Sequence, residues 1–117
     1  MNERSDDFLL VLTTAGSAEQ ARAIARGLVE RRLVACANVV PGALSIYRWQ
    51  GRVEEQAESL VVLKTAKRLF PELRRVIREL HSYELPEILA LPIADGDPDY
   101  LDWLGGALAD ENTRAGS

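Results

Sequence analysis

Ala35-Cys36-Ala37-Asn38-Val39-Val40-Pro41-Gly42-Ala43-Leu44-Ser45-Ile46-Tyr47-Arg48-Trp49-Gln50 has extended character on both sides of one interruption. Proline cannot donate to a strand ladder. Pro41-Gly42 therefore predicts a bulge that bends one long strand, with Ala35–Val40 before it and Leu44–Gln50 after it. Gly51 supplies a turn, and Leu60-Val61-Val62-Leu63-Lys64-Thr65 forms the next strand. Two strands thus follow one another with no helix between them.

Upstream, Phe8-Leu9-Leu10-Val11-Leu12-Thr13-Thr14 is an apolar run long enough for a strand and too short for a helix. Ser17-Ala18-Glu19-Gln20 reads as a capping box. Behind it Ala21, Ile24, Ala25 and Leu28 recur on one helical face, with Arg22, Arg26 and Glu30 on the other. Downstream, Pro71 suits the first turn of a second helix whose stripe is Leu69, Leu73, Val76, Ile77 and Leu80. Pro86 precedes a fourth strand, Ile88–Ile93. Asp97-Pro98 then caps a short helix through Tyr100, Leu101 and Leu104, which Gly105-Gly106 weakens and Trp103 is expected to anchor. The order β-α-β-β-α-β plus a terminal helix is an α+β, ferredoxin-like split βαβ arrangement with an antiparallel sheet. The expected organisation is one domain over residues 8–108, a flexible N-terminus over 1–7 and a loose tail over 109–117.

Phe8–Leu12, Leu60–Leu63 and Ile88–Leu91 are apolar at successive positions, as in sheets covered on both faces. Right-handed crossovers put both long helices on one face of such a sheet. The terminal helix is too small to cover the other face alone, so a neighbouring subunit is expected there, in an oligomer.

Of the 117 residues, 47% are hydrophobic, enough for a core. A net charge of −4 opposes nucleic acid and anionic membrane as partners. Met1–Asp7 lacks the basic and apolar regions of a signal peptide, and no apolar stretch has spanning length. The lone cysteine, Cys36, forms no internal disulfide, which suits a reducing cytoplasm. No P-loop, dinucleotide glycine pattern or nucleophile elbow is present, and Ser45 and Ser59 have no evident base, so an enzyme is not expected. No organic cofactor is expected either.

Several segments carry a resemblance. They are Leu12-Thr13-Thr14, Leu33–Gly42 followed by Ser45-Ile46-Tyr47-Arg48-Trp49-Gln50-Gly51, Leu80-His81-Ser82-Tyr83-Glu84-Leu85-Pro86-Glu87-Ile88, and Asp97-Pro98-Asp99-Tyr100-Leu101-Asp102-Trp103. In this order over residues 8 to 104 they resemble the CutA family of divalent-cation tolerance proteins. The resemblance implies a ferredoxin-like subunit, a homotrimer whose long strands pair between subunits, a shape like the PII signalling proteins, and a role in tolerance of divalent metals. Copper binding is implied for some members. Those carry additional cysteines that this sequence lacks, so any copper binding here is expected to be weak.

For metal, the candidates are Cys36, His81 and Glu84. Cys36 reads either as a small core residue or as a soft ligand for copper, with nothing basic beside it in sequence. His81 ends the second helix, where it serves either the helix C-terminus or a metal. Tyr83, Glu84 and Glu87 follow within one turn. Tyr47, Arg48, Trp49 and Lys64 are expected to line a ligand cleft with them at a subunit boundary, Trp49 chiefly by packing and Lys64 by ligand contact. Two functions follow: a metal-binding tolerance protein, or a trimeric sensor holding a small anionic ligand in its intersubunit clefts.

Overall fold

The computed structural model describes residues 7–109. Its elements are β1 (Phe8–Ala15), α1 (Ala18–Glu30), β2 (Cys36–Trp49), β3 (Arg52–Ala66), α2 (Phe70–Leu80), β4 (Leu89–Pro92) and α3 (Pro98–Ala107), with a 3₁₀ turn at Lys67–Leu69 ahead of α2. The sheet order is β2-β3-β1-β4 and every pair is antiparallel, as a split βαβ requires. Apart from Asp7 and Ala109, the segments expected to be flexible lie outside the described residues.

Local chemistry sets the boundaries. The Ser17 hydroxyl accepts from the Gln20 N–H at 3.1 Å, which satisfies one free donor of α1. The Gln20 side chain reaches back one residue further than the motif predicts, accepting from the Gly16 N–H at 3.4 Å. At the other end, Leu33 N–H bonds Leu28 O and Arg32 N–H bonds Val29 O, a Schellman closure with Arg32 in the left-handed region at φ 58°. Asp97 accepts from Tyr100 N–H at 3.1 Å and opens α3.

The long central strand is one strand, as the proline reading predicts. Val40 faces Leu60 and Ala43 faces Glu58, so Pro41 and Gly42 together oppose Ser59 alone. Gly42 adopts φ 84°, which glycine takes without strain. Its partner is longer than expected. β3 begins at Arg52, eight residues before the predicted Leu60, because Arg52–Ser59 is polar and carries no apolar signal of its own. Cross-strand bonds to Ala43–Trp49 hold it extended. Gln50 and Gly51, both at positive φ, make a two-residue turn whose twist matches the strands. The result is a two-stranded ribbon projecting beyond β1, and the chain extends 53 Å along its long axis against 26 and 22 Å. β4 is shorter than expected, pairing only with Leu9–Leu12.

The helices pack on one face. Val11, Val61, Leu63, Leu28, Leu73 and Ile77 are wholly buried there. On the opposite face α3 covers one end, where Leu104 and Leu108 close over Phe8 and Ala66. Leu104 anchors this helix. Trp103, expected to do so, is half exposed beside Tyr100, because its position in the helix turns it from the sheet. Beyond α3 the open face is unsealed: Leu10, Leu12, Leu60 and Val62 are half-buried, and Val40, Leu89 and Leu91 are exposed.

Candidate functional site

The open face and the projecting ribbon meet the segment after α2 in a cleft of about 610 Å³. Its walls are Tyr47 and Trp49 from β2, Gln56 and Glu58 from β3, and Tyr83 to Leu85 with Glu87 from the α2–β4 connection. Strand alternation explains the first four. Ser45 faces Gln56 and Tyr47 faces Glu54, so alternate polar residues of the ribbon share the face that carries Leu60 and Val40.

A directed chain of hydrogen bonds organises the floor. Tyr47 Oη donates to Gln56 Oε1 at 3.0 Å, and Gln56 Nε2 donates to Tyr83 Oη at 3.2 Å. Tyr83 Oη donates to Glu58 Oε2 at 2.7 Å, while Ser45 Oγ donates to Glu58 Oε1 at 2.5 Å. Every donor runs toward Glu58, which is 9% exposed. Burial, then the hydrogen bond to Glu58 and its charge, push the Tyr83 phenol up to about 12, so it remains a donor at neutral pH. Gly16 makes room for that hydroxyl: a Cβ there would lie 3.2 Å from Tyr83 Oη.

His81 holds this segment in place. It is the C-cap of α2, 8% exposed, with its N–H on Ile77 O at 2.9 Å. Its Nδ1 accepts from the Tyr83 N–H at 3.1 Å. Nε2 lies 2.6 Å from Thr14 O and must therefore donate, which assigns the neutral Nε2–H tautomer. The imidazole thus ties the end of α2 to the end of β1 and orients Tyr83, whose ring stands 4.6 Å away. Neither ring nitrogen keeps a free lone pair for a metal in this arrangement.

The metal candidates do not converge. Cys36 pairs across the sheet with Lys64, whose Nζ is 3.9 Å from Sγ. A basic group therefore does stand beside the thiol, supplied by strand pairing where the sequence shows none. Lys64 lies six positions along β3 from Glu58, about 20 Å at the usual strand rise. Lys64 consequently lies outside this cleft, with its Nζ 5.8 Å from the centre of the Tyr100 ring. Glu84 is exposed at the cleft, far along the sheet from Cys36. Among the described residues no three His, Cys, Asp or Glu side chains gather as a cation site. The donor set thus does not fit a resident metal.

Ser45, Gln56 and Glu58 are among the cleft residues that sequence reasoning missed. Ser45 does have an acidic neighbour, Glu58, brought across by the hairpin. Among the described residues the cleft also carries Glu58, Glu84 and Glu87 with no lysine or arginine, a charge that disfavours an anionic ligand. A second hollow of about 620 Å³, between the end of α1 and α3, contains none of the predicted residues except Trp103, the expected anchor of α3.

Residues 9–107 match the sequence profile of the CutA1 divalent ion tolerance proteins. The chain belongs to the CutA1 family. It is 56% identical over 95 residues to the divalent-cation tolerance protein CutA of Thermus thermophilus, covering 81% of this chain and 92% of that one. The solved Thermus thermophilus structure superposes with a TM-score of 0.81 at 55% identity, over 83% of this chain and 94% of that chain. Mouse protein CutA is 44% identical over 91 residues, 78% of this chain but only 51% of the mouse protein, so the chain spans about half of that longer relative. A solved CutA relative from Archaeoglobus fulgidus, described as a periplasmic divalent cation tolerance protein, superposes at TM-score 0.84 and 35% identity, over 87% and 99% of the two chains. Among the described residues no helix is long and apolar enough to cross a membrane.

Proposed function

We propose that the protein acts in tolerance of divalent cations as a cytoplasmic homotrimer without catalytic activity of its own. The observation that carries the role is the 56% identity to a CutA divalent-cation tolerance protein along 92% of that relative. Support for the trimer comes from the unsealed sheet face, where Val40, Leu89 and Leu91 are 43 to 55% exposed. Among the described residues both sheet edges are also unpaired, since β2 and β4 stand at the ends of the strand order. The cytoplasmic setting rests on Cys36, a lone thiol that leaves the fold independent of oxidation.

Contact with copper or another divalent ion is weak in this reading. A soft ion falls to the half-buried thiol of Cys36 and a harder one to exposed Glu84, since His81 must give up Thr14 or Tyr83 before it ligates. Light scattering across a dilution series tests assembly, and a mass of one subunit at micromolar concentration would contradict the trimer. Calorimetric titration with Cu(II) and Cu(I) of wild type, Cys36→Ala and Glu84→Gln tests the metal contacts. Unchanged binding in both variants would remove them.

A further inference from the structure

Charge is divided unevenly between the two layers of the subunit. The helix layer, residues 18–32 and 67–81, holds nine of the chain's fourteen lysines and arginines but four of its eighteen acidic residues, so it carries +5 where the whole chain carries −4. This layer packs on the sheet face opposite the one that the proposed trimer covers. Its outer side therefore stays open to solvent whether the chain is single or assembled.

Within the layer most carboxylates are already taken. Arg26 pairs with Glu30 on α1 at 3.0 Å, and Arg75 pairs on α2 with Glu79 and, at 2.6 Å, with Glu72. Glu72 also feels the charge of Arg31, so this flank of α2 faces α1. The other flank keeps its charge. Lys67 from the 3₁₀ turn, Arg74 and Arg78 recur at i, i+7 and i+11, which places them along one side of the helix, and all three are exposed. Among the described residues Arg74 and Arg78 enter no ion pair, and Lys67 has only the exposed Asp7, at 4.0 Å. At the helical rise the row is about 16 Å long.

The charge of the row selects an anion, and its length selects the kind. About five residues of an extended chain span 16 Å, and guanidinium forks match carboxylates well. A long polyanion such as a nucleic acid would run past the row and meet the acidic remainder of the chain, where fourteen acidic residues face five basic ones. A short segment meets the row alone, because charges beyond about 8 Å are screened at physiological salt. We infer that the outer flank of α2 docks a short acidic segment of a partner protein, whose aspartate or glutamate carboxylates are held by Lys67, Arg74 and Arg78. This surface goes beyond the tolerance role and does not depend on it.

Three fluorescein-labelled probes of equal residue count test the inference: octaglutamate, octalysine and octathymidylate. Each is titrated with the full-length protein at physiological ionic strength and followed by anisotropy. Octaglutamate is expected to bind saturably, octathymidylate more weakly and octalysine not at all. Arg74→Gln/Arg78→Gln is expected to weaken octaglutamate about fivefold, the effect of two exposed charge contacts. Arg74→Lys/Arg78→Lys, which keeps both charges, should stay within about twofold of wild type. Arg22→Gln/Arg26→Gln removes the same charge from α1 and should also stay within about twofold. Absence of saturable octaglutamate binding overturns the assignment, as does octalysine binding equally well. An α1 variant that loses as much as the Arg74→Gln/Arg78→Gln chain overturns it in favour of diffuse attraction to the whole layer. Octathymidylate binding more tightly than octaglutamate overturns it in favour of a nucleic-acid surface.

Discussion

The two faces of the sheet are built from the same residue types and meet opposite fates. Val11, Val61 and Leu63 on the helix side are wholly buried, whereas Val40, Leu89 and Leu91 on the other side keep 43 to 55% of their surface exposed. Antiparallel partners share a face, so the difference is one of cover and not of composition: α1 and α2 lie over the first set, and α3 reaches only the Phe8–Ala66 end of the second. Hydrophobicity states what a strand needs, and the neighbouring layer decides whether the subunit supplies it. The contrast extends to polar groups. The helix face buries Thr13 with its hydroxyl unpartnered, while the open side gives the buried Glu58 two hydroxyl donors.

The largest effect should come from the helix face. Ile77→Ala opens a cavity in the sealed core and is expected to cost about 2–5 kcal/mol of unfolding free energy, read by urea denaturation. A loss comparable to that of a surface change would mean that the two faces are not energetically distinct.

Tyr83→Phe comes next. It removes one of two donors from a buried carboxylate and is expected to cost about 1–3 kcal/mol. It also has a pH signature. Because the Tyr83 pKa is raised from its ordinary 10 to about 12, the folded state keeps a proton that the unfolded chain loses. The associated stability is complete below pH 10 and disappears as pH climbs toward 12. Thermal unfolding of wild type should steepen its decline over that window, and Tyr83→Phe should lack that component. Identical profiles would show that the Tyr83–Glu58 bond contributes little.

On the open face, Leu89→Ser with Leu91→Ser should leave the subunit fold intact and weaken self-association about tenfold, or about 1.4 kcal/mol, measured by sedimentation equilibrium. Destabilisation of the subunit itself, with assembly unchanged, would place the seal elsewhere. The smallest effect is a gain: Thr13→Val exchanges the orphaned hydroxyl for a methyl group and should raise stability by about 1 kcal/mol.

The order of elements, the Pro41-Gly42 bulge, the Ser17 and Asp97 caps and the buried stripes of α1 and α2 were legible in the chain itself. Each is written in neighbouring residues or in a 3.6-residue period. An excess of apolar strand residues over helix cover was legible too. The site was not. Ser45, Gln56 and Glu58 are ordinary polar residues until the hairpin and the α2–β4 connection bring them to Tyr83, and half of β3 showed no strand pattern because its partner strand holds it extended. His81 read equally well as a cap and as a ligand. Only the 2.6 Å contact with Thr14, sixty-seven residues away, decides that its imidazole is committed to the fold. Likewise Lys64 stands by Cys36, not by the cleft, through strand register. Sequence determines what can be read along one element, by period and by cap. Register and loop closure decide which distant side chains share a cleft, because those contacts depend on pairings that no local stretch encodes.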